Sequence, residues 1–186
     1  MLEPWNEVVR KTLALDASLP VAHQSLAWLS LFQQRHEQAL VAARQSIALD
    51  PNWAEGYLTL ATMLNFAGPP GESLEWIKQA MRLNPRYGPE YPLTLGWAYV
   101  IAGRYEEALV SLTQALPLLP NNLQLHWALV ICYAELGREG EARATAAEML
   151  RIHPQFSTEA MRPFMPNKDH ARTEQQLAAL RKAGLK

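Results

Sequence analysis

The side chains of this sequence best able to do chemistry are five histidines, one cysteine and a few paired glutamates. His23, His36, His126, His153 and His170 contain no His-Glu-x-x-His pair. His36-Glu37 lacks the second histidine four places on that would put two imidazoles on one metal from one helix face. His23 and His126 fall at equivalent places of a repeat described below, which a packing position tolerant of a polar tip explains. Cys132 lies between Ile131 and Tyr133 in an apolar run, so a buried and inert thiol is expected. Gly68-Pro69-Pro70-Gly71 lacks the Gly-Lys-Ser/Thr ending of a phosphate loop, and its prolines remove the backbone donors such a loop needs. Glu106-Glu107 and Glu139 with Glu141 suit helix starts, where negative charge complements the dipole. With no convergent acid, base, nucleophile or ligand set, the expectation is a chain that is not an enzyme and uses no cofactor and no metal.

Composition narrows the class further. A chain of 186 residues and 20.9 kDa with 49% hydrophobic and 19% charged residues reads as one globular domain over 1–186, its 13 prolines punctuating elements. A net charge of -1 lacks the basic excess that counterion release from a phosphate backbone requires, so no nucleic acid is expected. A single cysteine rules out an intrachain disulfide and suits a reducing, cytoplasmic compartment. The start Met-Leu-Glu-Pro-Trp-Asn-Glu carries no basic region followed by an apolar stretch, and no run approaches a membrane span, so no membrane partner is expected.

The elements that must position these side chains recur with a fixed period. Pro51, Pro85, Pro120 and Pro154 close the phrases beginning Ile47, Met81, Leu116 and Leu150, at steps of 34, 35 and 34 residues. Leu13-Ala14-Leu15-Asp16 is an earlier copy with Ala17 in the proline's place. Within each period come Leu26-Ala27, Leu60-Ala61, Leu95-Gly96 and Leu129-Val130, then Ala39, Ser73, Ala108 and Ala142. Two antiparallel helices approach closely only where one side chain is small, so this is a packing code. Gly96→Leu should therefore overpack the junction while Gly96→Ala should be mild. Tyr99 and Tyr133 are expected to fill wider gaps, and Gly68, Gly103 and Gly137 to close first helices in the left-handed region. Ser30, Ala43 and Ala146 replace large residues, so the first and last copies should pack differently. The extra residue in Arg86-Tyr87-Gly88-Pro89 makes a kinked junction the expectation there.

On these positions the chain resembles the tetratricopeptide repeat, most clearly in Tyr57, Leu60, Ala61, Leu64, Gly68, Ser73, Ile77, Ala80 and Pro85, and again from Leu95-Gly96 to Pro120. The resemblance implies an all-α solenoid of helix-turn-helix pairs wound as a right-handed superhelix, with full repeats at 20–53, 54–88, 89–122 and 123–156. Residues 1–19 then hold a lone helix over 2–16, with Trp5, Val8, Val9 and Thr12 on one stripe. Residues 157–186 hold a cap: a short helix after Ser157, and an amphipathic helix over 169–183 with Leu177 and Leu180 inward and Gly184 beyond its end.

It also implies a concave groove lined by first helices. The groove positions are Gln24, Trp28 and Leu31; Glu55, Leu58, Thr62 and Asn65; Glu90, Leu93, Trp97 and Val100; and Gln124, Trp127, Ile131 and Glu135. These are apolar and aromatic, edged with carboxylates and free of Lys and Arg, which disfavours carboxylate-terminated chaperone tails as ligands. Trp28, Trp97 and Trp127 stand out as binding anchors, Trp97 above all, unless neighbouring first helices or the tail helix cover them. The expected function is a protein-interaction module taking an apolar peptide, a helix or a second copy of itself as a homodimer. A small-molecule-sensing domain, with a closed pocket between Trp97 and Trp127, is a further alternative.

A solenoid that begins mid-repeat suggests the C-terminal piece of a longer protein, with a native half-repeat cap as the alternative. Phe156-Ser157, Arg162, Asn167-Lys168-Asp169, Leu180-Arg181-Lys182-Ala183-Gly184-Leu185 and Leu64-Asn65-Phe66-Ala67-Gly68 resemble the repeat regions that follow the catalytic domain of bacterial class III adenylate/guanylate cyclases. Similar tails follow bacterial winged-helix regulators. A regulatory region of such a signalling protein is the alternative expectation, and the resemblance transfers no catalytic residue.

Overall fold

The computed structural model describes residues 3–186, apart from the Phe164 side chain, and Leu2 of the expected first helix lies outside the described residues. The helices are α1 (Glu3–Leu15), α2 (Pro20–Phe32), α3 (His36–Leu49), α4 (Ala54–Ala67), α5 (Ser73–Leu83), α6 (Glu90–Ile101), α7 (Tyr105–Ala115), α8 (Leu123–Glu135), α9 (Glu139–Ile152), α10 (Thr158–Met161) and α11 (His170–Lys182). There is no strand among the described residues. The chain divides into two compact units, Met1–Tyr87 and Gly88–Lys186, and the division falls in the segment carrying the extra residue.

Within the first unit α2 pairs with α3 and α4 with α5, and α4 also packs on α2 and α3. Within the second, α6 pairs with α7 and α8 with α9, and α8 packs on α6 and α7. Each pair is one of the four expected repeats. The small-residue code is what brings the helices together: Ala27, Ala39, Ala61, Ser73, Ala108 and Ala142 are all buried where helices meet. Gly96 is the extreme case. A Cβ there would lie 2.5 Å from Leu112 Cδ2 and 2.6 Å from its Cγ. Leu112 is itself fully buried, so its branch point has no free space to retreat into. Gly96→Ala is therefore not mild, contrary to expectation, because the first added carbon already meets the facing helix.

The turns between paired helices depart from the glycine expectation in one place, at Gly68. Gly103 and Gly137 are left-handed at φ 71° and 72°, and in the first pair the same place is taken by Gln34 at φ 60°. Arg35 N, Arg104 N and Arg138 N then donate to Ser30 O, Tyr99 O and Tyr133 O at 2.8, 2.9 and 2.8 Å, one geometry closing three helices. Gly68 is not left-handed; its φ is -91° and the left-handed residue of that turn is Gly71. Pro69 and Pro70 lengthen the turn, and glycine at 68 serves close approach instead, since a Cβ there would lie 2.9 Å from the Leu64 side chain and carbonyl.

The two ends of the chain are built differently. On α1, Val9 turns inward while Val8, expected on the same stripe, is exposed. At the other end Ser157 Oγ accepts from Ala160 N at 3.4 Å and Asp169 Oδ1 from Ala171 N at 2.9 Å, each starting a helix. Leu177, Leu180 and Leu185 are buried, α11 lies on α8, and Gly184 follows at φ 99°. Thr158 N donates to Lys186 O at 2.6 Å, and Arg181 with Glu159 and Arg162 with Glu174 pair the two helices of the cap.

Candidate functional site

In the first unit the expected groove positions occupy one stripe each on α2 and α4. Gln24, Trp28, Glu55 and Thr62 are half-buried, whereas Leu31, Leu58 and Asn65 are buried. Gln24 Nε2 donates to Thr59 Oγ1 at 2.9 Å, tying the two first helices side by side. Thr62 Oγ1 donates back to Leu58 O at 2.8 Å, as hydroxyls on helices commonly do. Asn65 turns into the helix pair, where its Oδ1 accepts from Ser73 Oγ at 2.6 Å, linking α4 to α5.

The most solvent-facing feature of this stripe is a ladder of three rings. Trp28 stacks on Phe32 with ring centroids 6.1 Å apart, and Phe32 meets Trp5 of α1 at 5.9 Å. Phe32 keeps 49% of its surface exposed, a high value for a phenylalanine held between two tryptophans. Sequence reasoning singled out Trp28 but missed Phe32 and Trp5 as its neighbours. The signal was present, since Trp28 and Phe32 are one helical turn apart, and only the α1–α2 packing supplies the third ring.

In the second unit the stripe lies on α6 and α8. Glu90, Gln124 and Glu135 are exposed, Trp97 is half-buried against the core of the unit, and Leu93, Val100 and Ile131 are buried. Trp127 is only 5% exposed, and Phe156 meets its ring edge-on at 6.0 Å and 79°. Phe156, in the loop after α9 and ahead of the cap helices, thus packs over the tryptophan. Tyr105 has its phenol pKa raised, first by burial and then by the carboxylate of Glu135.

Two of the histidines weighed for chemistry hold loops in place. His23 Nε2 donates to Ala17 O at 2.9 Å and His126 Nε2 to Pro120 O at 2.7 Å, so in both rings Nε2 carries a proton because a carbonyl can only accept. Tyr57 Oη does the same to Pro51 O at 3.1 Å, at the equivalent place of the second repeat. Each polar tip latches the loop that enters its helix. Burial pushes the Cys132 thiol up to about 12, which keeps it protonated and poorly nucleophilic. Arg104 lies 4.7 Å from the Tyr99 ring centroid while its Nε donates to Glu107 at 2.9 Å. Arg138 repeats this over Tyr133 at 4.8 Å, with Glu141 as acceptor at 2.7 Å. Among the described residues no group of three or more His, Cys, Asp or Glu is placed to hold a metal ion, and no helix is long and apolar enough to cross a membrane.

Residues 99–161 match the family model described as tetratricopeptide repeat. No curated protein matches the chain. Among solved structures, a thermophilic tetratricopeptide-repeat protein of Thermus thermophilus is 26% identical, with a TM-score of 0.68 over 94% of this chain and 88% of that one. PilW, a type IV pilus biogenesis factor, is 17% identical with a TM-score of 0.72 over 96% of this chain and 80% of its own. YrrB, a tetratricopeptide-repeat protein described as having an unusual peptide-binding site, is 19% identical with a TM-score of 0.58, over 94% of this chain and 90% of its own. These likenesses establish the fold as an all-helical tetratricopeptide-type solenoid, an architecture typical of protein-interaction scaffolds.

Proposed function

We propose that this chain is a non-catalytic interaction module acting in the cytoplasm, which holds an apolar peptide, a helix or a second copy of itself against the exposed stripes of its first helices. The observation that carries the reading is the ring ladder of Trp5, Phe32 and Trp28, an aromatic surface left in contact with water. Large rings of this kind concentrate binding energy when a partner shields them. Glu55 in the first unit, and Glu90 and Glu135 in the second, edge the stripes with negative charge, and no Lys or Arg stands among the fifteen groove positions. A ligand with apolar anchors and basic flanks is the complement.

Trp28 in the first unit and Trp97 in the second are the anchors; Trp127, covered by Phe156, is a packing residue. Peptides selected on the whole chain from a displayed library should bind Trp28→Ala or Trp97→Ala at least tenfold more weakly, equivalent to ~1.4 kcal/mol, with helical circular dichroism retained. Unchanged affinity in both variants would overturn the groove reading. Sedimentation of the same variants tests self-association, which either substitution should weaken. Attachment to a nucleotide cyclase or a winged-helix regulator, the alternative reading, rests on the tail phrases and requires the same binding surface.

A further inference from the structure

The first helix pair carries a solvent-open cavity at a place where the second pair holds larger side chains. It measures about 550 Å³ and lies between α2 and α3, with Leu26, Ser30 and Ala42 as its floor and Glu37, Gln38 and Gln45 at its rim. Ser30 and Ala42 create the space. One period on, their counterparts are Leu64 and Trp76, and the Trp76 ring packs at 6.1 Å on Tyr57, the counterpart of His23. In the third and fourth pairs the counterparts of Ser30 are Tyr99 and Tyr133, each under an arginine. The first pair alone is small at both places.

We infer that this cavity receives one aromatic side chain, tryptophan or tyrosine, presented by a partner polypeptide with a Lys or Arg beside it. The size falls within the range of about 300–1,000 Å³ typical of ligand sites. What fills the same place in the second pair is an indole delivered by a helix, so the complementary shape is an aromatic side chain carried on a polypeptide. The rim supports the flanking charge: Glu37 is the one carboxylate of the lining, Gln38 and Gln45 offer amide oxygens, and no Lys or Arg lines the cavity. Val41, 65% exposed beside the opening, gives the partner backbone an apolar surface to cover. The site lies on the stripe of His23, Leu26 and Ser30, distinct from the stripe of Gln24, Trp28 and Leu31 assigned to the groove, and stands independently of it.

The test is a nitrogen–proton NMR titration of the whole chain with N-acetyl-Lys-Trp-Lys-amide, with the Lys-Ala-Lys peptide and free indole run beside it. Saturable shifts at the Ser30, Val41 and Ala42 amides with the tryptophan peptide are expected, at least tenfold weaker with the alanine peptide. Ala42→Trp, which restores the residue of the second pair, should remove them. Ser30→Tyr, which restores that of the third and fourth, is the second filling variant should Ala42→Trp fail to fold. Shifts that persist in a folded filling variant overturn the inference. So does free indole binding as tightly as the peptide, which would make this a small-molecule site. Shifts confined to Gln24, Trp28 and Phe32 overturn it too, while leaving the groove reading standing.

Discussion

The first helix pair and the fourth derive from one repeat pattern and meet their surroundings in opposite ways. In α2–α3 the interior is underfilled at Ser30 and Ala42, and Trp28 and Phe32 reach water beside Trp5. In α8–α9 the counterpart of Ser30 is Tyr133 beneath Arg138, Trp127 is covered by Phe156, and α11 lies over α8. The counterpart of Trp28 by the period is Ile131, which is buried. A first helix of this repeat therefore carries more apolar surface than its own partner can bury. Whether that surface becomes core or contact is decided by what the chain lays over it. The cap closes the fourth pair with buried leucines and an outer face of His170, Glu174, Gln175 and Arg181, whereas Phe32 of the first pair, beside Trp5 of α1, stays 49% exposed among the described residues.

The largest effects should break the closed side of this comparison. Trp127→Ala should cost about 3–5 kcal/mol and Leu180→Ala about 2–5 kcal/mol in urea unfolding, because each removes a buried side chain from a packed interior. Val8→Ala on α1 and Val41→Ala on α3, both exposed, should stay within about 0.5 kcal/mol of the parent by the same measurement. Equal losses at the two ends would show that the cap seals nothing. Gly96→Ala in the middle of the chain should cost about 1–3 kcal/mol, less than the cavity variants, because Leu112 and the backbone share the displacement. A melting temperature unchanged by that substitution would mean that α6 and α7 do not meet at Gly96.

Smaller effects sharpen the comparison at the turns. Gly137→Ala should destabilise by about 1 kcal/mol, since alanine pays a steric cost in the left-handed region. Gln34→Gly, at the corresponding turn of the first pair, should stabilise by up to about 1 kcal/mol, the relief of that strain being partly offset by the greater freedom of glycine in the unfolded chain. Thermal melts of the two variants should therefore move in opposite directions. The smallest effect is expected from acid. Arg181 through a hydrogen bond, and then the charge of Arg162, hold the Glu159 carboxyl below its ordinary value. Its stabilising share is present above the ordinary glutamate value of about 4.3 and is lost as pH falls through the depressed folded value. Glu159→Gln should slightly flatten the acid limb of stability against pH, and a steeper limb in that variant would contradict the pairing.

Much of this architecture was legible because it is periodic. Spacing of the prolines placed four helix pairs, Ser157 and Asp169 marked the starts of the cap helices, and Leu177 and Leu180 were assigned inward correctly. Gly68 misled because the period marks where a turn lies and leaves open which residue of a lengthened turn becomes left-handed; two prolines moved that role to Gly71. Asn65 was placed in the groove by register, yet Ser73 draws it inward. The ring ladder was half legible, for Trp28 and Phe32 share a helix face while Trp5 joins them only through the packing of α1 on α2.

The sequence by itself determined which segments are helices, how they pair and where two of them touch, since those properties depend on local propensity and on side-chain size repeated at a fixed interval. Only the tertiary structure decided which tryptophans meet water, that Gly96 leaves no room for even one carbon, and that Ser30 and Ala42 line a cavity open to solvent. Burial at each of these places is the sum of contributions from helices distant in the chain, and one residue's identity carries no record of that sum.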